Sequence, residues 1–194
     1  RQGGVSFAYA TASSGSGKQD KLFSSNWDMM KSCGILRGVL YEFDHSRKPE
    51  DQAKELIASL PDGYGDLPPA VNVAGSTLLT KGCREYVESL LSFVQNLENE
   101  WGIPPLIYTS EQEWTKHLKC TSDKQMTYKY KALMAYPLWL NAPDETSPAL
   151  PGEWHRYEFL KFTDSGRLGG TNTSVEAYNG NRSQLMTWAS SLEK

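Results

Sequence analysis

The feature that most constrains the fold of this 194-residue chain is an alternation of short apolar runs with longer amphipathic stretches. The short runs are rich in β-branched and aromatic residues, which favours strands, and the longer stretches repeat apolar residues every three or four positions, which favours helices. We predict strands over residues 5–10, 38–43, 70–74, 104–108, 137–140, 157–163 and 175–178, with a turn at residues 166–170 between the last two. We predict helices over residues 20–33, 49–60, 83–101, 111–118 and 182–192. Strand–helix units that end in strands are typical of a β/α barrel or a wound sheet, and so we expect an α/β fold.

The bulk properties narrow the class of protein. No internal repeat, low-complexity tract or linker interrupts the chain, so we expect a single domain over residues 1–194. The net charge of −3 gives no basis for electrostatic capture of nucleic acid. No apolar run approaches the length of a membrane span, and we expect neither a membrane span nor a signal peptide in these residues.

The cysteines and histidines do not predict a metal or redox site. There is an odd number of cysteines, without Cys-x-x-Cys spacing, and the three histidines lack ligand spacing. We therefore expect no metal and no cofactor. One disulfide with a free thiol and three buried thiols both remain open, and we favour small buried core residues for Cys33, Cys83 and Cys120.

One proline-preceded strand carries the most informative pattern. Residues 67–76 read Leu-Pro-Pro-Ala-Val-Asn-Val-Ala-Gly-Ser. This segment resembles the one in glycoside hydrolase family 25 muramidases in which a strand delivers Asp, one spacer and then Glu. Alternation along a strand aims two such residues together into a barrel mouth. In this chain Asn72 stands at the Asp position and Ala74 at the Glu position.

Other segments resemble the same family in the same order. Residues 7–15 are similar to an early strand signature whose Ala-Thr-Glu-Gly becomes Ala-Ser-Ser-Gly, and residues 24–43 are similar to a helix and barrel strand with Glu42 where His is common. Residues 105–109 and 137–140 resemble two further strands.

The C-terminal part of the chain continues the resemblance with further departures. The family's Trp-Gln-Tyr-Ser stretch reads Leu-Lys-Phe-Thr at residues 160–163, which puts Lys161 at the Gln position. In the closing strand, Glu176 stands where Asp is usual. Each motif alone is weak, whereas their order and spacing together are specific.

The resemblance implies an irregular (β/α) barrel of the TIM-like type. The family's first strand, with its Asp-x-Ser motif, has no counterpart in this chain. A barrel without that strand has an opened edge that another segment or a partner must cover. Whether such a strand is missing or supplied in trans remains open.

The resemblance also implies a function. Family 25 enzymes cleave the β-1,4 bond between N-acetylmuramic acid and N-acetylglucosamine, with a Glu that protonates the leaving oxygen and an Asp that assists. Ala74 can do neither, and Asn72 can hydrogen-bond an acetamido group but supplies no negative charge. We therefore expect a muramidase-like, catalytically inactive domain that binds a peptidoglycan-type glycan or a protein partner. The alternative is an active or engineered-inactive N-acetylmuramidase of bacterial peptidoglycan.

Both natural loss and deliberate substitution explain Asn72 and Ala74. The departures at Ser14, Glu42, Lys161 and Glu176, together with the absent first motif, favour natural loss, because scattered divergence in one pocket is typical of a repurposed enzyme. If the resemblance holds, the protein acts outside the cytoplasm, facing a cell wall. Its oligomeric state is left open.

The remaining candidate site residues are aromatic and acidic. We expect the rings of Tyr41, Tyr108 and Trp139 to stack on sugars, although plain barrel packing explains Trp139 equally well. Glu42, a candidate for substrate binding, and Glu176, a candidate catalytic residue, both lie near predicted strand ends, with Asp44 and Asp164 close by. A relocated acid pair among these residues is an alternative. The competing interpretation is that these carboxylates are simply solvated.

Overall fold

The structure, a computed structural model, describes residues 4–14, 20–60, 62–73, 82–118 and 124–192. These residues form one seven-stranded sheet. Its strands are β1 (Phe7–Ser14), β2 (Leu36–Glu42), β3 (Ala70–Asn72), β4 (Leu106–Thr109), β5 (Leu138–Asn141), β6 (Phe159–Leu168) and β7 (Thr171–Tyr178). The helices are α1 (Phe23–Ser32), α2 (Pro49–Ala58), α3 (Cys83–Trp101), α4 (Glu111–Leu118), α5 (Lys124–Leu133) and α6 (Arg182–Leu192).

The sheet curls into an open barrel. The strands are ordered as in the chain; β1 to β6 pair in parallel, and β6 and β7 pair antiparallel. The ring of Phe7 on β1 lies 4.9 Å from that of Phe159 on β6, and the ring of Tyr9 lies 4.6 Å from that of Trp139 on β5. Strands this far apart in sheet order meet only if the sheet bends round on itself. No ladder joins β1 to β7 in the described ranges, so the expected irregular α/β barrel is confirmed and is open on one side.

Alternation along the strands creates two cores on the two faces of the sheet. The interior core fills the barrel with side chains that include Leu67, Ala70, Leu106, Tyr108, Trp139 and Phe159. The outer core lies between the sheet and the helices and includes Val39, Tyr41, Val71, Val73, Ile107, Leu138 and Leu140. A residue and its neighbour on one strand therefore belong to different cores, and this assignment decides which side chains can reach a ligand.

The longest helix was predicted with its observed bounds. Apolar residues recur along α3 at three- and four-residue spacing, and Tyr86, Val87, Leu90, Phe93, Val94 and Leu97 are buried there. Gly102 ends the helix in the left-handed conformation, with φ of 69°, which glycine adopts without steric cost. Helices α4 and α6 also have the predicted bounds.

The C-terminal hairpin differs from the prediction. Gly166 was expected in a turn, but it lies inside β6, where it pairs with Thr173 on β7. A Cβ atom at this position would lie 2.1 Å from Cγ2 of Val175, so glycine is required here by close approach and not by a turn. The turn itself is formed by Gly169 and Gly170, both with positive φ. The two strands consequently extend well beyond the barrel.

Helix α5 was not predicted. Its sequence, Lys-Gln-Met-Thr-Tyr-Lys-Tyr-Lys-Ala-Leu, has no acidic residue in the first turn and only a short apolar stripe. Tertiary packing stabilises it: Leu133 is fully buried in the outer core, and the hydroxyl of Tyr130 accepts a 2.7 Å hydrogen bond from the indole nitrogen of Trp114.

The cysteines correct the favoured interpretation. Cys83 is disulfide-bonded, and Cys33 is free and exposed, so these are not simply buried thiols. Cys120 lies outside the described residues. None of the helices in the described ranges is long and apolar enough to cross a membrane.

Candidate functional site

Inward-facing side chains at the C-terminal ends of neighbouring strands form one group at that end of the barrel, which we call the barrel mouth. Each of them either belongs to the interior core or lies two residues from an interior core residue on the same strand, and residues two apart on a strand face the same side. We call this group the mouth residues. They are Glu42, Asn72 and Tyr108 in one row of strand partners, Asn141, Lys161 and Glu176 in a second row, and Trp139 beside Tyr108. Strand C-terminal ends are where β/α barrels carry their reacting groups.

Lys161 is the central charged group of the second row. Its side chain is only 15% exposed, and its ammonium group is ion-paired with the carboxylate of Asp164 and interacts with the hydroxyl of Tyr108. Desolvation by burial alone would lower the pKa of Lys161, but Asp164 and Tyr108 outweigh it and raise the pKa above its ordinary value. The mouth therefore contains a permanent positive charge at neutral pH.

Glu176 lies beside Lys161 in the β6–β7 ladder and is half-buried. Desolvation by burial raises the pKa of this carboxyl above its ordinary value, and the nearby Lys161 only partly offsets the increase. Glu176 therefore retains its proton to a higher pH than a solvated glutamate does. A raised pKa is what a proton donor needs, but it also occurs at sites with no chemistry.

The aromatic mouth residues form a packed floor. Trp139 is 4% exposed and its ring lies 4.9 Å from that of Tyr108, edge to face. The ring of Tyr9 covers another side of Trp139. These rings thus present little open face on which a sugar could stack, and the polar group that Tyr108 contributes is the hydroxyl that interacts with Lys161.

Two polar atoms near this floor lack hydrogen-bond partners. Nε1 of Trp139 and Oδ1 of Asn141 are buried, and neither bonds to any described residue. A buried donor or acceptor without a partner costs about 1–3 kcal/mol. A ligand or a water molecule that forms hydrogen bonds with these two atoms in the mouth would remove this cost.

Tyr41 does not belong to this site. It is fully buried on the outer face of β2, where its ring stacks on Phe93 of α3 at 5.1 Å and its hydroxyl lies 3.3 Å from Oε1 of Gln52. Since Glu42, the next residue along the strand, faces the interior, Tyr41 has to face the helices. The structure thus brings Glu42 to the mouth, with an exposed side chain, and leaves Tyr41 in the outer core.

The positions of the expected carboxylates are only partly described. Asn72 ends β3 in the first row, between Glu42 and Tyr108. Ala74, two residues later, lies outside the described residues. An amide on Asn72 can donate and accept hydrogen bonds, but it cannot carry the negative charge of an aspartate.

Sequence reasoning missed Asn141 and did not connect Asp164 with Lys161. Asn141 follows Trp139 by two residues, so strand alternation alone was enough to place it on the same face. Asp164 is only three residues from Lys161, but regular alternation places residues three apart on opposite faces of a strand. The β6–β7 ladder shifts its register between Lys161 and Gly166, and this irregularity is not visible in the sequence. Among the described residues there is no cluster of His, Cys, Asp and Glu that could hold a metal ion.

The sequence is similar to a known family and to individual proteins. The sequence profile of Glycosyl hydrolases family 25 matches residues 1–171. The uncharacterized protein YegX of Escherichia coli O157:H7 is 25% identical over 193 residues, and Lysozyme M1 of Streptomyces globisporus is 23% identical over 201 residues. These alignments cover 98% and 97% of this chain, respectively, and the chain spans 65% of the length of each relative.

Solved structures show the same fold. The bacterial lysozyme from Streptomyces coelicolor matches with a TM-score of 0.80 at 20% identity, covering 97% of this chain and 88% of that one. The family GH25 lysozyme from Aspergillus fumigatus matches with a TM-score of 0.77 at 22% identity, covering 94% and 87%. At such identities the likeness establishes the fold, and the profile match over most of the chain establishes the family. The chain therefore belongs to glycosyl hydrolase family 25.

Proposed function

We propose that this family 25 domain binds a peptidoglycan-type glycan at its barrel mouth without hydrolysing it. The observation that carries the proposal is the charge of the mouth: Asn72 supplies no carboxylate at its strand end, and the ammonium of Lys161 stands within the same group. On this account residues 1–194 act as one binding domain, and the protein works outside the cytoplasm, against a cell wall.

The first argument concerns the transition state. Glycoside hydrolysis passes through an oxocarbenium-like transition state, which needs a proton donor and a nearby negative charge. With asparagine at position 72 and alanine at position 74, neither group is supplied by the strand that carries them in the family. Loss of a general acid alone reduces turnover by about 10²–10⁴-fold.

The second argument concerns Lys161. Positive charge that develops on a sugar is repelled by an ammonium group, and this repulsion is strong in a partly desolvated site. Lys161 is held charged by Asp164 and Tyr108, so it cannot avoid the repulsion by losing its proton at neutral pH. The loss of the carboxylates at positions 72 and 74 and the positive charge of Lys161 both disfavour the transition state of hydrolysis.

Glu176 supports the weaker alternative of a relocated acid. Its pKa is raised by burial, but it is flanked by Lys161. Glycosidases of the usual kind require a second carboxyl about 5–9.5 Å from the acid, as nucleophile or base. Glu42 and Asp164 are mainly exposed, and Asp164 is already engaged by Lys161. We therefore favour binding over residual hydrolysis.

The test combines two readings on insoluble purified peptidoglycan. Cosedimentation reports binding, and the turbidity of the suspension reports lysis. We expect the protein to sediment with the polymer while the turbidity stays constant. Clearing of the suspension by the unaltered protein would contradict the absence of hydrolysis, and failure to sediment would contradict glycan binding.

A further inference from the structure

The ion pair of Lys161 and Asp164 joins a buried group to an exposed one. The side chain of Lys161 is 15% exposed and that of Asp164 is 57% exposed. Asp164 lies on the hairpin outside the barrel proper, where Oδ1 also accepts a 3.2 Å hydrogen bond from the hydroxyl of Ser174. In the structure, therefore, the cation of the mouth receives its carboxylate from the solvent side.

Such a pair is suited to exchange. The exposed carboxylate of Asp164 loses little when it leaves the pair, because water solvates it almost as well as Lys161 does. Lys161 is different, since its charge is largely desolvated and needs a counterion. A carboxylate on a bound ligand can replace that of Asp164 one for one, and Asp164 then returns to water at little cost.

The charges around Lys161 favour one direction of approach. Glu176 flanks it on β7, and Asn141 flanks it on β5. The first row contributes the neutral side chains of Asn72 and Tyr108 in addition to the exposed Glu42. A ligand carboxylate would be repelled on the β7 side, and it meets amides and a hydroxyl on the side of β3 to β5.

We propose that Lys161 is a specificity-determining residue of the mouth, which selects glycans that carry a carboxylate on the bound sugar over neutral glycans. This inference rests on the proposed function, since it assigns a ligand class to the same site. Asp164 occupies the carboxylate position in the absence of ligand and competes with the ligand for the ammonium group.

The experiment uses two probes that differ at a single group, which is charged in one and neutral in the other. The first is the disaccharide of N-acetylglucosamine and N-acetylmuramic acid with a free lactyl carboxylate, and the second is the same disaccharide with that carboxylate converted to a neutral methylamide. Dissociation constants are measured by calorimetry at low salt. We expect the unaltered protein to bind the carboxylate probe about tenfold more tightly than the amide probe.

Three variants separate the contributions. Lys161→Gln should bind the two probes with equal affinity, because the charge that distinguishes them is gone. Asp164→Asn, on an exposed hairpin position, should bind the carboxylate probe more tightly than the unaltered protein does, because the competing anion is gone. Lys54→Gln removes an exposed lysine of α2, on the outside of the barrel, and should change neither constant. Thermal unfolding confirms that each variant is folded.

The outcomes distinguish this inference from the proposed function. Equal affinity of the unaltered protein for both probes, or a preference that persists in Lys161→Gln, would overturn the role of Lys161 while leaving glycan binding intact. Weaker binding of the carboxylate probe by Asp164→Asn would overturn the exchange. Failure of the unaltered protein to bind either probe would overturn the proposed function and this inference with it.

Discussion

Lys161 and Glu176 are direct partners in the antiparallel ladder of β6 and β7, so an ammonium and a half-buried carboxyl stand side by side at the barrel mouth. Their neighbours on the parallel strands are uncharged amides and a phenol. The mouth is thus polarised: apart from Glu42 on β2, its charges lie on the side of the C-terminal hairpin.

This polarity predicts that restoring the family's carboxylates is not sufficient for activity. The double variant Asn72→Asp/Ala74→Glu should lyse peptidoglycan weakly. Addition of Lys161→Gln should raise the lytic rate about tenfold, which corresponds to about 1.4 kcal/mol of transition-state stabilisation, because the repelling cation is removed. The rate of turbidity loss measures the effect, and Lys54→Gln in the same double variant is the control. Equal rates for the double and triple variants would show that Lys161 does not oppose the reaction.

The pKa of Glu176 predicts a pH-dependent stability. Because burial raises the folded-state pKa of this carboxyl above its unfolded value, its favourable contribution is present at low pH and is lost as the pH rises through the folded pKa. Glu176→Gln should therefore raise the free energy of unfolding at pH 7 more than at pH 3.5, relative to the unaltered protein. Urea unfolding at both pH values measures the difference. A larger gain at pH 3.5 would have the wrong sign for this account.

The outer position of Tyr41 predicts a stability effect without a binding effect. Tyr41→Phe removes the hydroxyl that lies 3.3 Å from Oε1 of Gln52 and should lower the free energy of unfolding by about 0.5–1.5 kcal/mol. Affinity for the carboxylate disaccharide should not change. Tyr108→Phe is the matched variant on the inner face, and it should weaken that affinity, because the hydroxyl beside Lys161 is lost. Weakened binding in Tyr41→Phe with unchanged binding in Tyr108→Phe would reverse the assignment of the two tyrosines.

The two described cysteines should differ in reactivity. Cys33 is free and exposed, whereas Cys83 is disulfide-bonded. Alkylation of the folded, unreduced protein with iodoacetamide should therefore modify Cys33 and leave Cys83 unmodified, as read by peptide mass spectrometry. Cys33→Ser provides the control and should abolish this labelling. Labelling of Cys83 without prior reduction would contradict the structure.

Much of the fold follows from local patterns in the sequence. The stripe of α3 and its Gly102 terminus determine the bounds of that helix, and the alternating runs predict each strand of the barrel approximately. The hairpin was misjudged because Gly166 was treated as a turn residue. Its requirement for glycine comes from Val175 on the opposite strand, a contact between residues distant in the chain.

Members of the candidate site could be predicted only where alternation along a single strand determines which face a side chain lies on. Glu42 and Asn72 follow from alternation, and the same rule excludes Tyr41, which had been grouped with them. The engagement of Lys161 by Tyr108 depends on the packing of β4 and β6, two strands separated by β5 in the sheet, which no local pattern connects. The burial of the Trp139 ring likewise depends on Tyr9, a residue 130 positions earlier in the chain.

The central claim is that the domain holds glycan without cutting it, and the release of new reducing ends from purified peptidoglycan tests it most directly. At a protein concentration at which most of the protein sediments with the polymer, the account predicts no time-dependent increase in reducing ends for the unaltered protein. A steady increase that is abolished by Glu176→Gln would contradict the account and identify a relocated catalytic acid.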